Sequence, residues 1–135
     1  NTDATWPFSG SIVLLNNAVF GTAGSATTSM ASGTLVVDAA ATDAKLNGGS
    51  AGQTVIIKEI GLNNNISIGG LTGAGLTLNA PITLSGTGLR TITTTGITTI
   101  TGAFLGSNDI AFTPATLTLT GSLSSLTGGF AINSG

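Results

Sequence analysis

Five acids (Asp3, Asp38, Asp43, Glu59, Asp109) and three bases (Lys45, Lys58, Arg90) are the only charged side chains in 135 residues. There is no His and no Cys. The commonest general base and the usual nucleophile–base pairs are therefore missing, as are a disulfide framework and a thiolate metal site. Two carboxylates could still do acid–base work if held roughly 5–10 Å apart. Asp38 and Asp43 share one stretch and are the only pair that fits. Asp109 falls three repeats of about twenty residues further on, roughly 14 Å along the axis if each repeat is one stacked coil. Solvated turn carboxylates explain all three more simply, so the chain is expected not to be an enzyme. No catalytic or cofactor-binding residue is assigned.

Other chemistry is equally sparse. The Gly-rich turn Leu46-Asn47-Gly48-Gly49-Ser50-Ala51-Gly52 lacks the Asp of calcium-binding solenoid turns, and a hard cation wants several oxygen ligands. No metal and no cofactor are expected. Lys58 and Glu59 sit side by side in an exposed turn, and Arg90 is read as lying over the outer wall. Asn65-Ile66-Ser67 matches the N-glycosylation pattern and makes Asn65 a possible modification site. With a net charge of −2 and no basic cluster, nucleic acid is not an expected partner. No run of 18 apolar residues exists, so no membrane-spanning helix is expected.

The elements that must carry these residues are strands. Hydrophobic residues make up 41% of the chain, too many for a disordered segment, and charged residues only 6%, so Thr, Ser, Asn and Gly must form the surface. No segment has an apolar stripe at helical spacing. Short β-type runs recur between Gly, Asn and Ser: Thr34-Leu35-Val36-Val37, Thr54-Val55-Ile56-Ile57, Leu76-Thr77-Leu78, Ile82-Thr83-Leu84 and Leu117-Thr118-Leu119.

Their anchors repeat. Leu14, Leu35, Val55, Leu76, Ile97 and Leu117 step by about 20 to 21 residues, as do Phe20, Ala41, Leu62, Ile82, Ala103 and Leu123. A third series reads Leu46, Ile68, Leu89, Ile110 and Phe130. Three short strands per repeat predict an all-β fold, a parallel β-solenoid of about six coils whose equivalent strands stack in register. At about 4.8 Å per coil, six coils make a rod roughly 30 Å long. The alternative is an antiparallel β-sandwich of pilin type with strand complementation. Residues 11–135 are read as one solenoid domain, and 1–10 as an N-terminal cap or inter-subunit segment.

The stretch Gly75-Leu76-Thr77-Leu78-Asn79-Ala80-Pro81-Ile82-Thr83-Leu84, continued to Ile132, resembles the coils of filamentous-haemagglutinin-like and autotransporter passenger β-helices. The resemblance lies in Gly/Thr/Asn/Ala vocabulary and coil length, mainly over residues 70–132. It implies a secreted, cell-surface protein of bacterial type that presents a long rigid face.

A chain so poor in charge has little repulsion to keep copies apart. A C-terminal strand at Phe130-Ala131-Ile132 has no visible cap, and a terminal coil exposes unpaired strand edges. The expected role is thus an extracellular structural subunit that polymerises end to end or by donated strand into a filament, sheath or fimbria-like fibre. Trp6, Phe8, Ile12, Leu14, Phe130 and Ile132 are the expected assembly residues. Ser11-Ile12-Val13-Leu14-Leu15, apolar without alternation, reads as a strand buried on both faces. The alternative role is an adhesin segment that meets a host glycan or protein surface. A remoter one is ice binding through outward Thr at Thr77, Thr98 and Thr118, although the same column reads Val36 and Ile56 over the first half. Those two residues would form an apolar strip for lateral association.

Overall fold

The computed structural model describes residues 4–5, 9–22, 26–49, 52–69 and 75–133. The strands in the first half are β1 (Ala4–Thr5), β2 (Ser11–Leu14), β3 (Val19–Gly21), β4 (Thr27–Val37), β5 (Ala44–Asn47), β6 (Gln53–Leu62) and β7 (Ile66–Gly69). The second half adds β8 (Leu76–Asn79), β9 (Ile82–Leu84), β10 (Arg90–Ile100), β11 (Phe104–Gly106), β12 (Ile110–Leu119), β13 (Ser125–Leu126) and β14 (Phe130–Ile132). Every described strand pairing is parallel, as a solenoid requires and a sandwich does not.

The chain winds around three faces through about five turns. Face 1 stacks β1, the first half of β4, the first half of β6, β8, and the second halves of β10 and β12. Face 2 stacks β2, the second halves of β4 and β6, β9, β11 and β13. Face 3 stacks β3, β5, β7, the first halves of β10 and β12, and β14.

Alternation sets what lies inside. Along β6 the even-odd pattern places Gln53, Val55 and Ile57 inward, with Thr54 and Ile56 outward. The wall so formed encloses one core, in which Leu35, Leu46, Ile60, Leu62, Leu78, Ile82, Ile92, Ile100 and Phe112 are fully buried. Aliphatic side chains fill most of it, since β-branched and γ-branched residues stack well between coils.

Four strands serve two faces by bending. In β4 and β6 the bend joins face 1 to face 2; in β10 and β12 it joins face 3 to face 1. At the β10 bend Gly96 has φ of 75°, a left-handed conformation that a residue with a side chain resists. The pairing register with β12 shifts between Thr94 and Ile97, at this bend.

Coil length differs from the uniform step read in the sequence. Thr28 pairs with Val55 twenty-seven residues on, whereas Ile100 pairs with Leu119 nineteen on. The longer early coil carries extra residues at the β4 bend, where the register with β6 shifts between Met30 and Thr34, and at the turn around residues 38–43. In consequence Leu35 and Val55 do not share a column: Leu35 pairs with Ile60 on face 2, and Val55 with Leu78 on face 1. In the second half the inferred series slips by one residue: Thr98, not Ile97, stands between Leu76 and Leu117, and Phe104, not Ala103, lies beside Ile82.

Candidate functional site

Two regions gather polar or exposed apolar side chains outside the core: the C-terminal edge of the solenoid and the corner between faces 2 and 3.

At the C-terminal edge, β13 pairs only with β11 and β14 only with β12 among the described residues. Phe130 is 43% exposed and Ile132 61%, although both continue inward-facing columns through Ile110 and Phe112. The Phe112 ring packs edge-on against Phe104 at 5.7 Å and tilted against Phe130 at 5.3 Å. A groove of about 540 Å³ opens beside them, lined by Pro114, Ala115, Thr116, Leu117, Leu119 and Ile132. Core-type side chains thus stand exposed in the last described coil, next to strand edges that have no partner among the described residues.

The expected assembly residues separate in the structure. Phe130 and Ile132 lie at this edge, while Ile12 is half-buried and Leu14 is buried at 4% exposure in the wall of face 2. Trp6 and Phe8, and with them most of the proposed 1–10 segment, lie outside the described residues. The segment Ser11–Leu15 is not buried on both faces. Val13 and Leu15 are half-exposed while Leu14 points inward, because β2 covers the core with one side only. Val36 and Ile56 do face outward, but on different faces. The apolar strip is instead Val13 beside Val36 on face 2, and Gly61 follows them in that column.

The corner between faces 2 and 3 is polar and stitched from coil to coil. Asn64 Nδ2 donates to the carbonyls of Ala39 and Ala41 at 2.8 and 2.7 Å. Asn108 Nδ2 donates to the carbonyls of Gly86 and Gly88, both at 3.1 Å. Asn65 Oδ1 accepts the backbone N–H of Thr91, and Asp109 Oδ1 that of Gly129. Each bond spans one coil, so the amides satisfy turn backbone that strand pairing leaves open.

Arg90 occupies the same corner and corrects the reading that placed it over the wall. Its residue is 6% exposed. Nε donates to the carbonyls of Leu62 and Ser85, Nη2 to Ser85 at 2.6 Å, and Nη1 to Leu89. The guanidinium is held by carbonyl dipoles, and the only ion pair among the described residues is Lys45 with Asp43. Arg90 begins β10 at an inward position directly below Ile110 in register. Its charge obscured a parity that Ile92 and Ile100 already announced.

The acids assessed for chemistry have structural partners. Asp38 Oδ1 accepts the N–H of Ala40 within its own turn. Asp43 pairs with Lys45 at 2.7 Å on the surface. Lys58 is exposed at the β6 bend and Glu59 half-buried just after it. Asn65 is exposed, with its backbone N–H bonded to Asn64 Oδ1. Beside it lies a polar hollow of about 250 Å³, lined by residues that include Thr42, Asp43, Ser67, Thr91 and Thr93. No group of three or more His, Cys, Asp or Glu side chains comes together among the described residues. Among the described residues no helix is long and apolar enough to cross a membrane.

One feature was placed in the wrong column by the uniform repeat. Thr98 points inward and is fully buried. The outward residue of that strand is Thr99, and its column runs Thr27, Thr54, Thr77, Thr99 and Thr118 without interruption. Ile56 belongs to the neighbouring column, paired with Ser29 and Asn79.

Fold and edge together define a parallel β-solenoid, the architecture of β-helical surface proteins in general. The chain matches no protein-family model, no curated protein and no solved structure.

Proposed function

We propose that this chain is a non-enzymatic extracellular structural protein, a subunit that stacks end to end into a cell-surface filament, sheath or fimbria-like fibre. The observation that carries this reading is the last described coil, where Phe130, Ile132 and Leu123 stand exposed beside parallel strands whose outer edges have no partner among the described residues. A coil of a second copy laid on that edge would extend all three faces by parallel pairing at about 4.8 Å. It would also cover the groove at Leu117, Leu119 and Ile132. With 6% charged residues and a net charge of −2, little electrostatic repulsion opposes the contact. The vocabulary of Gly75–Ile132 supports a kinship in architecture with filamentous-haemagglutinin-like and autotransporter passenger β-helices, and with it a secreted, cell-surface setting.

A second reading, an adhesin segment, draws on the hollow between Thr42, Asp43, Asn65, Ser67 and Thr93, whose hydroxyl and amide groups suit a glycan. The edge favours the filament, because it presents apolar area rather than polar groups.

Negative-stain electron microscopy of the purified chain tests the proposal. Filaments with an axial repeat near 30 Å, about six layers at 4.8 Å, are expected. Ile132→Lys places a charge in the contact and is expected to abolish filaments while leaving the circular dichroism of the chain intact. Short monodisperse particles from the unaltered chain, over a range of concentrations, would overturn the assembly reading.

A further inference from the structure

The outward Thr column on face 1 is not used by end-to-end stacking, and its geometry asks for a ligand of its own. Thr27, Thr54, Thr77, Thr99 and Thr118 stand directly above one another through five successive coils. The coils between them differ in length, from twenty-seven residues to nineteen, yet the column is kept. All five are at least partly exposed. None of the five hydroxyls has a hydrogen-bond partner among the described residues. Each therefore has its full donor and acceptor capacity open to the outside.

The paired segments of face 1 (residues 27–30, 54–57, 76–79, 98–100 and 117–119) carry no ionisable and no aromatic side chain, and Lys58 stands exposed beyond them at the β6 bend, where the face ends. Ile56 and Ile97 flank it, and Ile97 is 55% exposed. The surface is thus neutral, built on a sheet, and repeats hydroxyl and methyl groups at about 4.8 Å along the axis. A flexible or charged partner gains nothing from such regularity. A partner that meets every hydroxyl equally must itself repeat at a similar spacing, offer both donors and acceptors, and carry no charge. Crystalline water has all three properties. Sugar chains share the hydrogen-bonding groups, but a stacking platform for their rings is missing here.

From this we infer that face 1 binds ice, with the Thr column as the contact line. Each hydroxyl takes a position in the ordered water layer, and the adjacent methyl groups, with Ile56 and Ile97, order the water between them. Binding of this kind is compatible with stacking at the ends of the rod, since the two surfaces are different. A filament of stacked copies would lengthen the column.

Ice-affinity partitioning of the full chain, together with freezing hysteresis, tests the inference. The chain is expected to enter growing ice and to hold a measurable gap between melting and freezing. Thr77→Tyr puts a bulky ring in the middle of the column. It is expected to lower the ice-bound fraction about tenfold, because each lost hydrogen bond weakens binding several-fold and the ring lifts neighbouring hydroxyls away. Thr83→Tyr projects from face 2 and is expected to leave ice binding unchanged; circular dichroism verifies that both variants fold. Ile132→Lys should lose filaments but keep ice binding, which separates this inference from the assembly reading. Exclusion of the unaltered chain from ice would overturn it. So would equal losses in Thr77→Tyr and Thr83→Tyr, or adsorption to crystalline polysaccharide without adsorption to ice. Lateral bundles of rods that Thr77→Tyr disperses, in a chain excluded from ice, would assign the face to a second copy instead.

Discussion

Gly102→Ala is expected to destabilise the chain by about 3 kcal/mol or more, read as a fall in the denaturation midpoint. Gly102 is buried at the corner where face 1 turns into face 2, between β10 and β11. A Cβ there would overlap the carbonyl of Ala80, one coil below, and the nitrogen of Pro81. One coil above, a Cβ on Gly121 would overlap the carbonyl of Gly102 in the same way. Ala80, Gly102 and Gly121 form a column in which backbone lies on backbone. Its partners cannot move aside without breaking the N–H of Thr101 from the carbonyl of Leu78 and that of Thr120 from Ile100. Gly21→Ala provides the contrast. Nothing lies within 4 Å of the position its Cβ would take. Because both substitutions restrict the unfolded chain equally, Gly21→Ala should change stability by no more than about 0.5 kcal/mol. Similar small effects at both positions would mean that the corner is not stacked as described.

Phe112→Ala should cost about 3–5 kcal/mol, the range for removing a buried aromatic ring. Its side chain is fully buried, between Ile92 below and Ile132 above in register, and it holds Phe104 and Phe130 by ring contacts. In a solenoid each coil is stabilised mainly by its neighbours. Losing this ring therefore loosens the last coil as a unit rather than a single strand. Hydrogen exchange should show β13 and β14 opening well before face 1 of the central coils. Phe130→Ala removes a ring that is already 43% exposed and should cost less in the isolated chain. If copies stack on that edge, its effect grows with protein concentration, because assembly then buries the ring. Equal losses from Phe112→Ala and Phe130→Ala at low concentration would contradict the burial on which this rests.

The architecture was legible because two signals agreed. Runs such as Leu76-Thr77-Leu78 alternate apolar and hydroxyl residues, and Gly or Asn stands between them at similar intervals. What a uniform interval could not show was where the turns lengthen. Extra residues at the β4 bend, between Met30 and Thr34, and in the turn Asp38–Asp43 shift everything after them. Leu35 and Val55 thus looked equivalent and lie on different faces. Within a strand, side-chain parity is a stricter guide than spacing between strands. Counting back by twos from Ile100 makes Thr98 inward and Thr99 outward, and from Ile92 it makes Arg90 inward. Both assignments were available. The polarity of those residues argued the other way, and the core accepts them because carbonyls hold Arg90. Thr98 is accepted without such help, with no hydrogen-bond partner for its hydroxyl.

The polar corner was harder to read. Asn63-Asn64-Asn65 and Ser107-Asn108-Asp109 are visible as turn sequences. That Asn64 and Asn108 each bind two carbonyls one coil away depends on turn conformations that no periodicity encodes. Phe130 and Ile132 continue the columns of Ile110 and Phe112 in the last described coil. The groove beside Leu117 and Leu119 follows from the bend in β12, which brings face 1 of the last turn next to β14.

The three stacked faces share one register, and a single distance tests it. Val13, Val36, Gly61, Thr83, Leu105 and Ser125 form one outward column on face 2. Val13 and Ser125 are both exposed at its ends, and the chain has no Cys to interfere with labelling. Spin labels at Val13→Cys and Ser125→Cys, diluted with unlabelled chain so that only intramolecular pairs contribute, should give a narrow distribution. Five coil steps place its centre near 24 Å. A broad distribution, or a centre beyond about 35 Å where the column geometry cannot reach, would contradict the stacked solenoid and the surfaces read from it.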